Sequence, residues 1–285
     1  MLKLFEIFKV ILLGIVEGIT EWLPISSTGH LLLVDEFLKI NIGPNPETFA
    51  RIFVDVIQLG AILAVVVVFF KKMWPFGKGN TESPLIKKDI FSMWFKVVFA
   101  CVPGLIATVL FKDFIDEYLN SAYVIALALI AYGIAFIIIE NRNKGKSFEV
   151  TTLDAITYKH ALFIGLYQVL SIIPGTSRSG STIIGGLLCG VSRTAAAEFT
   201  FFLAVPVMMG LSALEMLEYI LDYGIALEEI IMLGIGMAVA FLVSLFVIKF
   251  LMSYIRKHDF KVFGWYRIAL GILILLFYGI KALIA

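Results

Sequence analysis

The chain has 285 residues, of which 60% are hydrophobic and 16% charged, with a net charge of +1 and a mean hydropathy of +0.98. Too little polar surface is left to coat a soluble globule of this size, so composition places the chain among all-α polytopic membrane proteins. Its balanced charge, with basic residues spread over short loops, gives no footing to nucleic acid; Cys101 and Cys189 lie in apolar stretches without a CxxC neighbour and read as small buried hydrophobes, with no disulfide or zinc site.

The N-terminus carries Lys3 and Lys9 ahead of an apolar run, and no small-residue cleavage pattern follows, so this segment reads as mature protein. The first apolar region, Leu4 to Ile40, is broken by the run EGITEWLPISSTGH. An unpaired charge at the bilayer centre costs about 2.5–3.5 kcal/mol, so acids placed there face a cavity and carry function. Glu17 and Glu21 are four residues apart and share one helix face. Like charges so placed repel unless a cation lies between them; a divalent ion, Mg²⁺ or Ca²⁺, held by one or two carboxylates plus substrate phosphates, suits the pair. The alternative is that one of the two is protonated and both line a polar cavity. Pro24 ends the helix, and Ser26, Ser27 and Thr28 follow as partners for the freed backbone groups. His30 stands three residues after Ser27, close enough for an imidazole to deprotonate a hydroxyl. His160 and His258, by contrast, sit in basic loop contexts.

Three spans of roughly 30 Å, at about 1.5 Å per residue, are expected near Ile52–Phe70, Ile90–Leu110 and Ser121–Ile139. A second broken region, Tyr158 to Val191, carries PGTSRSGST from Pro174 to Thr182. Gly175 and Gly180 let backbone amides approach a ligand closely, and Ser179, Ser181 or Thr182 can cap the helix that follows. A helix N-terminus with free N–H groups is a ready anion site, and Arg178 adds a charged fork that matches phosphate. Three more spans are expected near Ala197–Met216, Glu229–Leu251 and Trp265–Leu283.

Loop charge sets the orientation, because Lys and Arg collect on the cytoplasmic side. The segments 71–88, with five lysines, 142–159, with four bases, and 256–261, with three, are assigned inside; 112–120 and 215–229 are rich in acids and assigned outside. Lys3 and Lys9 run against this scheme. Tracing the chain through it gives two units, 1–145 and 146–285, each a re-entrant helix hairpin plus three transmembrane helices, in opposite orientations: an inverted-topology repeat with its site near the midplane. A faint echo supports this, with Gly14, Glu17, Pro24 and Ser27 opposite Gly165, Gln168, Pro174 and Ser177 when one residue is gapped. Small residues at Ala126, Ala128, Gly133, Gly234 and Gly236 allow close helix approach, within the chain or across a homodimer.

Acids with a metal on one side and a cation with backbone donors on the other describe a site for a phosphorylated substrate. With EGITEWLPISSTGHL and PGTSRSGST in order, the chain resembles the bacterial undecaprenyl-diphosphate phosphatase family, also known for conferring bacitracin resistance, over essentially its whole length. The resemblance implies hydrolysis of a polyprenyl diphosphate lipid in the cytoplasmic membrane, at a site open to the extracytoplasmic side, recycling the lipid carrier for peptidoglycan synthesis. It carries the family's motif positions onto Glu17, Glu21, Ser27, His30, Ser177, Arg178, Ser179 and Thr182. The expected site then has Glu21, Ser27, His30 and Arg178 as catalytic residues, a metal on Glu17 and Glu21, and substrate contacts from Glu17, Ser177, Ser179 and Thr182 with Ser26, Thr28, Gly175 and Thr176 beside them. In the mechanism it suggests, Ser27 attacks with His30 as base; His30 as nucleophile, or as base for water, is the alternative. The rival class is a transporter or lipid flippase using the same midplane site.

Overall fold

The computed structural model describes residues 4–77 and 85–284, with the side chains of Lys112 and Asp116 left aside. Lys3 and Lys78, both counted in the loop-charge scheme, lie outside the described residues. The chain folds into helices α1 (Leu4–Thr20), α2 (Ser27–Phe37), α3 (Pro46–Val68), α4 (Phe70–Met73), α5 (Lys88–Phe114), α6 (Ala122–Arg142), α7 (Tyr158–Val169), α8 (Arg178–Leu188), α9 (Arg193–Tyr223), α10 (Leu227–Ile255) and α11 (Lys261–Ile284). Among the described residues, strand pairing is limited to two isolated bridges, Phe76 with Ile86 and Val150 with Val191. Six helices, α3, α5, α6, α9, α10 and α11, are long and apolar enough to cross a membrane, and they are the six expected from the sequence. The two broken regions form helix pairs, α1–α2 and α7–α8, with short members of 17, 11, 12 and 11 residues.

Local chemistry explains the breaks. After Thr20 the first chain turns through Pro24, and α2 begins one residue after Ser26, whose φ is 73°. In the second pair a 3₁₀ turn at Leu170–Ile172 leads to Gly175 (φ 92°), and Ser177 (φ 67°) caps α8. A serine in the left-handed region is strained at its Cβ. Among the described residues Ser26 and Ser177 are the non-glycine residues that adopt it, one at the start of each second helix.

The long helices approach one another through glycines. A Cβ on Gly60 of α3 would stand 2.1 Å from the Met237 carbonyl oxygen of α10, and one on Gly165 of α7 would stand 2.4 Å from that of Ala100 of α5. Gly14 and Gly18 of α1 abut Gly236 and Ala240 of α10, while Gly133 of α6 and Gly264 of α11 face each other's carbonyls. The small residues picked out at Ala126, Gly133 and Gly236 thus serve contacts within the chain, whereas Gly234 has open space beside it. Backbone-to-backbone approach of this kind is how helices associate where lipid offers no hydrophobic drive.

Three ion pairs tie helices of the bundle together. Glu140, at the end of α6, is fully buried; it accepts from the guanidinium of Arg193 at the start of α9 and from the Phe260 amide (3.0 Å) before α11. Lys72 of α4 meets Glu198 of α9 at 2.8 Å, and at the opposite end of the molecule Lys281 and Tyr278 of α11 hold Glu36 of α2 at 2.7 and 2.9 Å.

Substitution of Gly60 by Ala forces α3 from α10 and is expected to destabilise the protein by about 1–3 kcal/mol. Gly234→Ala, in open space on α10, should be neutral or stabilising by up to about 1 kcal/mol through helix propensity. Thermal unfolding of the detergent-solubilised variants checks both.

Candidate active site

The tips of the two helix pairs meet in the interior. Arg178, the first residue of α8, reaches across to Glu21 in the turn after α1, with Nη2 2.7 Å from Oε1. The other oxygen of Glu21 accepts from the Ser27 hydroxyl at 3.1 Å, so one carboxylate holds a cation on one side and a hydroxyl on the other. Both members of the ion pair are mostly buried, their side chains 13% and 10% exposed, so their attraction is screened far less than that of a surface pair. The second guanidinium nitrogen of Arg178, Nη1, has no partner among the described residues.

These groups line a cavity of about 460 Å³. The lining combines polar residues, among them Glu21, Ser27, Thr28, Ser177 and Arg178, with apolar ones from α5 and α9, Leu105, Met208, Leu211 and Leu214. Pro103 interrupts the hydrogen-bond ladder of α5 and Pro206 that of α9, both beside this cavity. Cys101 also lies on the wall, half-buried, a position that its reading as a simple core hydrophobe did not foresee.

The second tip is a hydrogen-bonded nest. Ser177 accepts from the Gly180 amide at 3.2 Å as a helix cap, its hydroxyl is 3.1 Å from that of Ser179, and Ser179 in turn donates to the Glu21 carbonyl at 3.4 Å. Thr176 donates back to the carbonyls of Leu170 and Ile173, bracing the turn. Thr182 is completely buried, bonding to the Arg178 carbonyl and accepting from Thr200 of α9 at 2.8 Å, so it braces α8 against α9 at a distance from the cavity lining.

Glu17 and His30 take up different surroundings from Ser27. Glu17 is fully buried, and neither of its carboxylate oxygens has a partner among the described residues, although Glu21, Asp55 and Arg178 are near enough to act on it electrostatically. His30 places Nδ1 2.7 Å from the Ser26 carbonyl and Nε2 2.7 Å from the Tyr266 hydroxyl. A carbonyl can only accept, so Nδ1 carries the proton and the Tyr266 hydroxyl donates to Nε2. Both ring nitrogens are therefore engaged, and the Ser27 hydroxyl is turned to Glu21. Ser26 occupies the cap position of α2, but its buried hydroxyl makes no cap bond; its carbonyl serves His30 instead.

A further residue was overlooked in the sequence. Arg267 of α11 is wholly buried and donates to the carbonyls of Pro24 (3.3 Å), Gly175 (2.8 Å) and Thr176 (2.8 Å), with Tyr132 beneath its guanidinium. The signal is present in the sequence, since Arg267 falls inside the expected span Trp265–Leu283 and an arginine inside an apolar span is a functional candidate by default.

A divalent cation fits this donor set in one form. Among the described residues no three His, Cys, Asp or Glu side chains cluster as a protein cage. The unpartnered, buried carboxylate of Glu17, four residues from Glu21, suits an ion whose remaining ligands are substrate phosphates and water.

Two comparisons with known proteins bear on this geometry. A family model described as bacitracin resistance protein BacA matches residues 10–273. The chain is 64% identical over 275 residues to a protein of Enterococcus faecalis named undecaprenyl-diphosphatase, covering 96% of this chain and 98% of that one. Relatives with the same name from Lachnoclostridium phytofermentans (59% identity, 94% and 96% covered) and Desulfitobacterium hafniense (53%, 99% and 100%) are similar end to end.

Removing Arg178 strands the Glu21 carboxylate in a mostly buried setting. Arg178→Ala is expected to cost about 3 kcal/mol, and adding Glu21→Gln should recover part of that loss, because the uncompensated charge disappears. A double-mutant cycle on thermal or denaturant unfolding reads the coupling.

Proposed function

The chain belongs to the bacitracin resistance protein BacA family, and from that premise we propose that its buried polar site hydrolyses undecaprenyl diphosphate to undecaprenyl phosphate and inorganic phosphate. It is a multi-pass membrane protein of six candidate spans, and hydrolysis of this kind returns the lipid carrier to peptidoglycan synthesis. The observation that carries the reading is the Ser27–Glu21–Arg178 array lining a cavity that is also lined by apolar side chains of α5 and α9. A diphosphate headgroup on a long hydrocarbon has the same division. The relatives' names are those of an enzyme, and the transport reading has no comparable support.

In the mechanism that this arrangement favours, the diphosphate enters with its terminal phosphoryl group between Arg178 and Ser27. The free Nη1 of Arg178 and the amides at the start of α8 neutralise its oxygens. Ser27 Oγ attacks the terminal phosphorus, the bond to the bridging oxygen breaks, undecaprenyl phosphate leaves, and the hydroxyl proton passes to Oε2 of Glu21. Water then hydrolyses the phosphoserine. His30, held between the Ser26 carbonyl and Tyr266, fixes the strained start of α2 and so the direction of Ser27. The geometry thus favours Glu21 over His30 as the proton acceptor. Glu17 and Glu21 would hold a divalent cation shared with the diphosphate, which supplies charge neutralisation.

We also read the two halves as an inverted repeat. The contacts are reciprocal: α1 packs on α10 as α7 packs on α5, and α6 pairs with α11 and α3 with α9. Gly14 and Gly165 mediate the first two, and the positive-φ serines, Ser26 and Ser177, stand at the same separation in sequence as those glycines. That spacing sets Ser26, rather than Ser27, opposite Ser177, and needs no gap. The cavity lining uses the later parts of α5 and α9, which the loop charges place in the outer half, so the site opens toward the extracytoplasmic side. Lys9, which weighed against this orientation, is buried in an ion pair with Glu6 at 3.0 Å and bonded to the Lys39 carbonyl, so it adds no free charge to the outer face.

Phosphate release from undecaprenyl diphosphate by purified protein is the direct test. Ser27→Ala and Arg178→Ala are each expected to lower kcat at least 100-fold, chelation of divalent ions to abolish turnover, and phosphate to be trapped on residue 27. His30→Gln should retain more activity than Glu21→Gln; the reverse order would make His30 the proton acceptor.

A further inference from the structure

We propose that Arg267 is a positioning residue for the reaction: a buried guanidinium that locks the two hairpin tips to each other and so sets the distance between Ser27 and Arg178. The inference rests on the phosphatase reading above. Its ground is the set of acceptors. Arg267 has no carboxylate among its recorded partners; its charge is spent on three peptide carbonyls, one from the first tip and two from the second. Pro24 lies two residues before Ser26 and Gly175 two before Ser177, so the guanidinium grips corresponding carbonyls of the two tips, each just upstream of a strained serine. One planar fork spans both, which a lysine ammonium cannot reproduce.

Two consequences for the site follow. The catalytic groups come from opposite tips, Ser27 and Glu21 from one and Arg178 from the other, and the Glu21–Arg178 contact is itself loosened once Glu21 takes the proton of Ser27. A second link that takes no part in substrate binding then keeps the tips in register during turnover. Arg267 also occupies three carbonyl oxygens at the site's edge; Gly175 lines the cavity, and unpaired carbonyls there would repel phosphoryl oxygens. Because Arg267 is completely buried and absent from the cavity lining, it acts through these loops and does not touch substrate.

Gly180 offers a second handle. A Cβ there would stand 3.0 Å from Nη1 of Arg267, so Gly180→Ala displaces the tip of that side chain without removing its charge. The experiment measures kcat and KM for phosphate release by Arg267→Lys and Gly180→Ala, singly and together and each in the Arg178→Ala background, with gel filtration and thermal unfolding reporting the folded fraction. Expected is a kcat at least 10-fold lower per folded Arg267→Lys enzyme with KM within about 3-fold, a smaller kcat loss for Gly180→Ala, and little additional loss from either once Arg178 is absent. Folded Arg267→Lys protein with wild-type kcat, or losses that multiply independently of Arg178, would overturn the assignment. An Arg267→Lys protein that does not fold leaves the decision to Gly180→Ala, whose loss must likewise vanish without Arg178. Wild-type protein that releases no phosphate would instead remove the function on which the inference rests.

Discussion

A helix that stops inside an apolar bundle leaves backbone N–H and C=O groups without partners, and each such group costs more there than in water. Two helix pairs in this chain stop in that way, tip against tip. The rest of the interior is organised around meeting the cost. Arg267 takes three carbonyls, His30 takes that of Ser26, Ser177 caps the Gly180 amide, and Thr176 and Ser179 bond to further carbonyls. Around the site, one nitrogen of Arg178 and the carboxylate of Glu17 stay without partners, and the Ser27 hydroxyl is held by Glu21.

Charges within the bundle fall into two kinds. Glu140 with Arg193 and Lys72 with Glu198 join helix ends far from the cavity and close on themselves. The Glu21–Arg178 pair differs because each partner keeps a second function, Glu21 toward Ser27 and Arg178 toward the cavity. A buried ion pair is weak evidence for stability but strong evidence for precise placement, since removing either partner strands the other. This explains how short helices, two of them only 11 residues long, hold a fixed arrangement of charges and hydroxyls that isolated segments of that length could not maintain.

Much of this was legible in the residues. Six long spans follow from uninterrupted apolar runs, and the positions of the two breaks follow from Pro24, Pro174 and the hydroxyl residues around them. Glu21, Ser27 and Arg178 could be picked out because charge and nucleophile together are rare in such surroundings. Pairings across 157 and 236 residues were not legible: nothing local says that Glu21 meets Arg178 at 2.7 Å or that His30 turns to Tyr266 and away from Ser27. Spacing within one turn makes contact between Ser27 and His30 feasible, but the strained φ of Ser26 and its carbonyl decide the direction of the ring. Arg267 was hidden for a related reason, since an arginine near a span boundary looks like an interfacial anchor until the tertiary fold shows it buried.

The packing of α1 on α10 has a consequence for how the chain is made. Gly14 and Gly18 rest on α10, and the bond from Ser244 to the Gly18 carbonyl spans 226 positions of sequence. At a synthesis rate of about 5–20 residues per second, the helix that bears Glu17 and leads into Glu21 waits roughly 10–45 s for its docking surface to leave the ribosome. During that interval two carboxylates have neither Arg178 nor α10 beside them. The first hairpin is therefore among the last parts of the molecule to settle, and catalytic competence arrives with the completion of the chain rather than with the insertion of its first half.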